Sequence, residues 1–300
     1  MKVDKFNYNE SKLRLQSHVN TMKQMVEHAI SFQEVEGRTI DRKGRPFANG
    51  LEAKRSLIRS QHLIYELHEF VKEEFLFYGI NPDNIYPPLH QAKPEITMTG
   101  TFKRKDQDVC VVPKKIVNKP ELINWGPLNN SGVYSAYGPE KEEKILATNV
   151  RSQLSSINKN IDTLFERMIS ESLNLHDKYP RLVLGELYLI PVYEYDDTEM
   201  FNNNIAFKSG ITNIAKFIQF FSYLNDYKEV TEPYKYTKAG LVVVDFRHDI
   251  PKIYENTEEL KQDNLVDDNF DLELASLSPT RYVYDLLSIY NETWGLDLLD

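Results

Sequence analysis

A lone cysteine, Cys110, denies this 300-residue chain any disulfide framework, which fits a reducing, cytoplasmic compartment. Its place inside the apolar run Val109–Val112 reads as that of a small buried hydrophobe. Long apolar runs are missing too. The longest are only a few residues, too short to span a bilayer, so no membrane association is expected. The polar opening MKVDKFNYNESKLRL has none of the apolar core of a secretory leader. There is no glycine-rich phosphate loop, no G-x-S-x-G elbow and no H-E-x-x-H pair. Seven scattered histidines and one cysteine do not make a zinc ligand set.

What is present is a length sufficient for a sizeable core and an uneven charge. The net charge is -9, which on its face argues against nucleic acid. Residues 1–120, however, hold 20 Lys and Arg against 15 Asp and Glu, and residues 121–300 hold 16 against 30. A basic face beside an acidic body would give this split, as would an ordinary solvated surface.

Apolar periodicity predicts a helix over 11–36, a charged loop (GRTIDRKGRPFANG) and a longer helix over 51–78. The segment NPDNIYPP reads as a turn. Strands are expected at 96–102, 108–112 and 145–150, the last two separated by a long polar loop over 119–144. A helix (157–176), a strand (182–192), a helix (212–227) and a valine-rich strand (240–246) follow. The last fifty residues are acidic and helix-like, with Tyr282, Leu286 and Ile289 on one stripe. The expected class is therefore α/β: a mixed sheet flanked by helices, built on an αβββαβ order. It divides into an N-terminal helical region (1–80), a core (81–250) and an acidic C-terminal segment (251–300), read as one continuous domain.

Within this frame Asp108 stands at the head of a strongly apolar strand, where aspartate is disfavoured unless it points at something polar. It reads as a metal ligand or as a strand-start residue, with Asp106 as its neighbouring rival. Asn149 and Arg151, two apart on the next strand, share a face. Asn149 can offer a carbonyl oxygen to Mg²⁺, and Arg151 can stabilise phosphoryl charge but cannot act as a base. Asp162 and Glu166 share a helix face, and Glu95 precedes the first strand. Arg38, Arg42, Lys43 and Arg45 crowd the charged loop, Lys54, Arg55 and Arg59 follow it, and Lys103, Arg104 and Lys105 flank Asp108. Such clusters either track phosphates or are plain solvated charge.

From Gly100, Phe102 and Asp108 to the Asn149-Val150-Arg151-Ser152-Gln153 element, the chain resembles type II restriction endonucleases of the PD-(D/E)XK superfamily, in particular the XhoI-like group. The likeness covers roughly residues 98–192. An E-x-K-S-Q element falls on Asn149–Gln153, with the acid and the lysine both replaced. The resemblance implies a restriction-endonuclease-like core and Mg²⁺-dependent cleavage of double-stranded DNA, at a short specific sequence, in bacterial restriction or phage defence. It implies catalytic roles for Asp108, Asn149, Arg151 and Glu166. Asp108 would hold the metal, with Glu166 restoring the carboxylate that Asn149 lacks, as a helix glutamate does in one group of these enzymes. DNA contacts would come from Arg38, Arg42, Lys43, Arg45, Lys103, Arg104, Lys105 and Gln153, in a homodimer. Two other expectations compete: a nuclease-fold protein that binds DNA or a defence partner without cutting, and an acidic interaction protein that docks through residues 254–300.

Overall fold

The protein is described here by a computed structural model covering residues 6–228 and 230–299. Residues 1–5, the first part of the polar N-terminal stretch, lie outside the described residues. The chain opens with α1 (Tyr8–Phe32), α2 (Gly50–Ser60) and α3 (His62–Phe77). The side chains of Asn7 and Asn49 accept hydrogen bonds from the backbone N–H groups of Glu10 and Glu52, capping α1 and α2 where orphan donors need partners. The single helix expected over 51–78 is two helices, because Gln61 takes a left-handed conformation (φ 68°) and redirects the chain. No glycine or proline marks that break, and apolar residues continue on both sides of it.

Next come β1 (Ile85–Tyr86), β2 (Ile96–Thr99), β3 (Arg104–Gln107), β4 (Val109–Val111), β5 (Glu121–Leu122), β6 (Tyr134–Ser135) and α4 (Pro139–Glu142). They are followed by β7 (Leu146–Ser152), α5 (Ile157–His176), β8 (Val183–Pro191), β9 (Tyr193–Tyr195), α6 (Asp197–Phe201), β10 (Phe207–Ile211) and α7 (Ile214–Leu224). The chain ends with β11 (Lys238–Asp245), β12 (Lys252–Tyr254), α8 (Thr257–Gln262) and α9 (Tyr282–Trp294).

The main sheet is six-stranded and mixed, in the order β1-β4-β7-β8-β11-β12. β4 runs antiparallel to β7, β7 and β8 are parallel, and β8 and β11 are parallel. Alternation along the strands divides the core in two. Val109, Val111, Leu146, Val150, Leu187 and Leu189 face α1, α2, α3 and α9. Cys110, Ala147, Leu184, Tyr188, Leu241 and Val243 face α5 and α7. Both helices that connect parallel strands thus lie on one face. β8 is buried along its whole length, as a central strand covered on both sides should be. At Gly185 an added Cβ would come within 2.1 Å of the Tyr282 hydroxyl, so the absent side chain is what lets α9 close on the sheet.

The strand expected over 96–102 differs most from the reading. It stops at Thr99 and pairs with β3 in a separate two-stranded hairpin, and the edge of the main sheet is taken by Ile85–Tyr86, inside the segment read as a turn. Among the described residues of the last fifty there are two α-helices, of which only α9 is long, and two short 3-10 turns, so the acidic tail is partly irregular.

Candidate active site

The hairpin of β2 and β3 delivers residues to the sheet. Its turn is clamped from α5: Asn174 Oδ1 accepts from the backbone N–H groups of Phe102 (2.8 Å) and Lys103 (3.0 Å), and its Nδ2 donates to the Lys103 carbonyl (3.1 Å). Gly100 allows this approach, since a Cβ there would stand 2.2 Å from the Asn174 carbonyl oxygen. The backbone then bends at Asp108 between β3 and β4. Because Val109 pairs with Thr148, Asp108 reaches the neighbouring strand beside the Asn149–Arg151 triplet. Its Oδ2 accepts the Val150 N–H at 2.8 Å. Asp106, the rival acid, is exposed and accepts the Thr97 hydroxyl on the hairpin.

Asp108 lines a cleft of about 270 Å³ between α2 and α3 on one side and α5 on the other. His68, Glu95, Arg151, Gln153 and Arg167 share its wall. Burial holds the His68 imidazole below its ordinary value against the pull of the Asp108 charge, which favours the neutral ring near pH 7. Glu95 pairs with Lys93.

Behind the cleft lies a buried ion network that the sequence reading did not assemble. Lys105 turns inward, its Nζ 2.7 Å from Glu171 Oε2 and 3.1 Å from Asn149 Oδ1. Arg151 pairs with Glu171 and lies 3.3 Å from Glu186, and Arg167 Nε lies 3.1 Å from Glu171. Burial, and next the positive charge of Arg151, pushes the Lys105 ammonium down. Burial pushes the Glu186 carboxyl up while Arg151 and Lys105 oppose it. Asn149 is buried and among the described residues its Nδ2 has no hydrogen-bond partner, while Glu186 relies on Arg151 and a weak contact from the Tyr236 hydroxyl.

Asp108, Asn149, Arg151, Lys105 and Gln153 are therefore brought to one neighbourhood, and Glu166 is not. It is exposed and absent from the cleft wall. Leu164, Arg167 and Glu171 lie along one stripe of α5, and at about 100° per residue Glu166 points to the far side. The acid that α5 contributes is Glu171, five residues after Glu166 and so on a different face. Asp162 instead pairs with Lys216 on α7 at 2.6 Å. Two signals could have found the network. Glu186 is the only charge in a nine-residue apolar strand, and an unpaired buried carboxylate is rare. Arg167 and Glu171 stand four apart on one helix face.

The basic residues also divide. Lys103 and Arg104 are exposed on the hairpin. Arg38 is tied to Glu36 (2.9 Å) and Arg45 to Asp41 (2.7 Å). The charged loop is an ordered hairpin, with Val35 bridged to Arg38 and Ile40 to Pro46. Among the described residues no group of three or more His, Cys, Asp or Glu side chains is arranged to hold a metal ion, and no helix is long and apolar enough to cross a membrane. Comparison of the chain with protein-family models, curated proteins and solved structures returns no match.

Proposed function

We propose that this protein is a nuclease of the PD-(D/E)XK kind that hydrolyses phosphodiesters of double-stranded DNA with Mg²⁺, in a restriction or phage-defence setting. One observation carries the reading. The Asp108 carboxylate is hydrogen-bonded to the centre of the Asn149–Arg151 triplet, and Asp108 and Arg151 open on one cleft whose wall also holds Gln153 and Arg167, with Asn149 buried behind it. An antiparallel β4–β7 pair followed by the α5 crossover to a parallel β8 supports the reading, since an αβββαβ core would use that order.

Mg²⁺ keeps several waters and takes only one or two protein carboxylates beside substrate phosphates. The second Asp108 oxygen and Glu95, on the same cleft, fit that demand without a three-acid cage. When bound, the ion supplies an activated water and neutralises developing charge. The chain's own groups do the rest. Arg151 and Arg167 set positive charge along the wall where a phosphate would lie. Glu171 and Glu186 fix the Arg151 guanidinium in place, and Lys105 holds Asn149 through its side-chain oxygen. His68, kept neutral, adds no charge to compete with the metal.

A plasmid-nicking assay with and without chelator tests this directly. Asp108→Ala should lower Mg²⁺-dependent nicking by about 100-fold or more, on the scale of losing a principal charge-stabilising group, while secondary structure by circular dichroism stays intact. Wild-type activity in that variant would remove Asp108 from the centre. A second reading is favoured by a different observation: Arg151 and Asn149 are both engaged by buried partners, as expected of a protein that keeps the frame and binds DNA without cutting it. Duplex binding with no metal-dependent nicking in the wild type would select it.

A further inference from the structure

A second concavity, of about 620 Å³, lies on the other side of α2. Arg42, Lys43 and Arg45 from the hairpin and Arg55 and Arg59 from α2 line it, with Asp41 and Glu52 as its acids. Those acids are already engaged. Asp41 Oδ1 accepts the backbone N–H groups of Lys43 (2.8 Å) and Arg45 (3.0 Å), and its Oδ2 takes the Arg45 guanidinium. Glu52 accepts the Ala48 N–H at 3.1 Å. Arg42, Lys43, Arg55 and Arg59 are exposed, and among the described residues Arg42, Lys43 and Arg59 pair with no acid, while Arg55 is close enough to Asp197 to help Lys208 draw its carboxyl down against the effect of burial. On a chain with 45 acids and 36 bases, four neighbouring exposed cations around one hollow, three of them without an acidic partner among the described residues, suit an external anion.

We propose that this groove is a phosphate track that holds the backbone of a DNA duplex and leads it to the Asp108 cleft. The proposal rests on the nucleic-acid part of the function proposed above and is independent of cleavage. Arg55 and Arg59 lie one helical turn apart, with Cβ atoms about 5–6 Å from each other, close enough to meet adjacent phosphates of one strand. The hairpin presents Arg42 and Lys43 across the hollow, held rigid by the Asp41 carboxylate and by the Asp41 N–H bond to the Arg45 carbonyl (2.8 Å). α2 is the shared wall: Arg55, Ser56 and Arg59 face the groove, whereas Ile58 and the following Gln61 line the Asp108 cleft. A strand leaving Arg59 therefore meets Gln61 and then the cleft mouth.

The test is duplex binding measured by fluorescence anisotropy in EDTA over a range of KCl, so that no cleavage intervenes. Arg42→Ala/Lys43→Ala and Arg55→Ala/Arg59→Ala should each flatten the slope of log affinity against log salt by roughly 1.8, two contacts at about 0.9 each. Unchanged slopes in both pairs, or no salt-dependent duplex binding by the wild type, overturn the proposal. ATP titrated alone distinguishes the other source of phosphate. Tight ATP binding that the double variants lose, with an unaltered duplex slope, would assign the groove to a free nucleotide and refute the backbone track. Flattened slopes in a protein that never nicks DNA would keep the track and discard the nuclease. Nicking with unaltered slopes would do the reverse.

Discussion

Two cationic regions sit on opposite sides of α2 and handle charge in opposite ways. Behind the Asp108 cleft, Lys105 and Arg151 are mostly buried, and with the more exposed Arg167 they are paired to Glu171 and Glu186, whose side chains are only 2% and 0% exposed. In the hairpin groove, Arg42, Lys43, Arg55 and Arg59 are exposed, and among the described residues none is buried against a carboxylate, Asp197 near Arg55 being itself half exposed. Burial forces the first set to find internal partners, since an isolated charge out of water costs several kcal/mol. Exposure leaves the second set free for a ligand. The same residue types thus hold a site together in one place and stand available to a polyanion in the other.

Removing the hub of the buried set is the strongest way to break this comparison. Glu171→Ala leaves Lys105 and Arg151 short of their shared acid and should cost about 3–5 kcal/mol. Urea unfolding followed by fluorescence measures it. A loss below about 1 kcal/mol would mean that the network is a solvated cluster like the groove, and the contrast between the two regions would collapse.

Much of the frame was legible because single signals decide it. The apolar runs at Val109–Val112, Leu182–Val192 and Gly240–Phe246 give β4, β8 and β11. The 3.6-residue period gives α5 and α7, and Asp108 announces itself as an acid heading an apolar strand. The charge network was not legible, because it is assembled from four places. Lys105 arrives only if Gly100–Lys103 turns back under the Asn174 clamp, which makes a hairpin of what reads as a strand continuing to Phe102. His68 arrives only because a left-handed Gln61, unmarked by glycine, re-aims α3. The choice between Glu166 and Glu171 depends on the rotation of α5 about its axis, which spacing within the helix does not set. The pairing of Arg45 with Asp41 depends on a hairpin that composition presents as a loose loop.

A half-buried case sharpens the comparison from the middle. His18 on α1 lies 2.9 Å from Glu66 and 3.1 Å from Glu73 on α3. Burial disfavours its charge, but the two carboxylates outweigh that and raise its pKa from 6.5 to about 9. A base whose folded pKa stands above the unfolded value adds stability that is complete below about pH 6.5 and fades as pH rises towards 9. With partial solvent screening the contribution should be on the order of 1–2 kcal/mol. Urea midpoints measured at pH 6 and pH 9 should therefore differ more in the wild type than in His18→Gln. An equal pH dependence in the two proteins would detach His18 from the α1–α3 contact.

The smallest effect separates neighbours within the groove. Arg45 and Arg55 both line it, but the Arg45 Nε and Nη2 each donate to Asp41 Oδ2, at 3.0 and 2.7 Å, whereas Arg55 only feels the more distant Asp197. The backbone N–H of Arg45, then its guanidinium and the Lys43 N–H, also draw the Asp41 carboxyl down to about 2, so the pair stays ionised at any working pH. A guanidinium already neutralised by its own carboxylate releases fewer counterions from DNA when it approaches a phosphate. Arg55→Ala should therefore lower the salt slope of duplex binding by roughly 0.9, and Arg45→Ala by clearly less. Removing the charge with Asp41→Asn, whose amide oxygen can still accept the Lys43 and Arg45 N–H bonds, should move the slope the other way, because it frees Arg45. Equal losses from Arg45→Ala and Arg55→Ala would mean that the Asp41 pair opens on binding, and that the groove counts every cation alike.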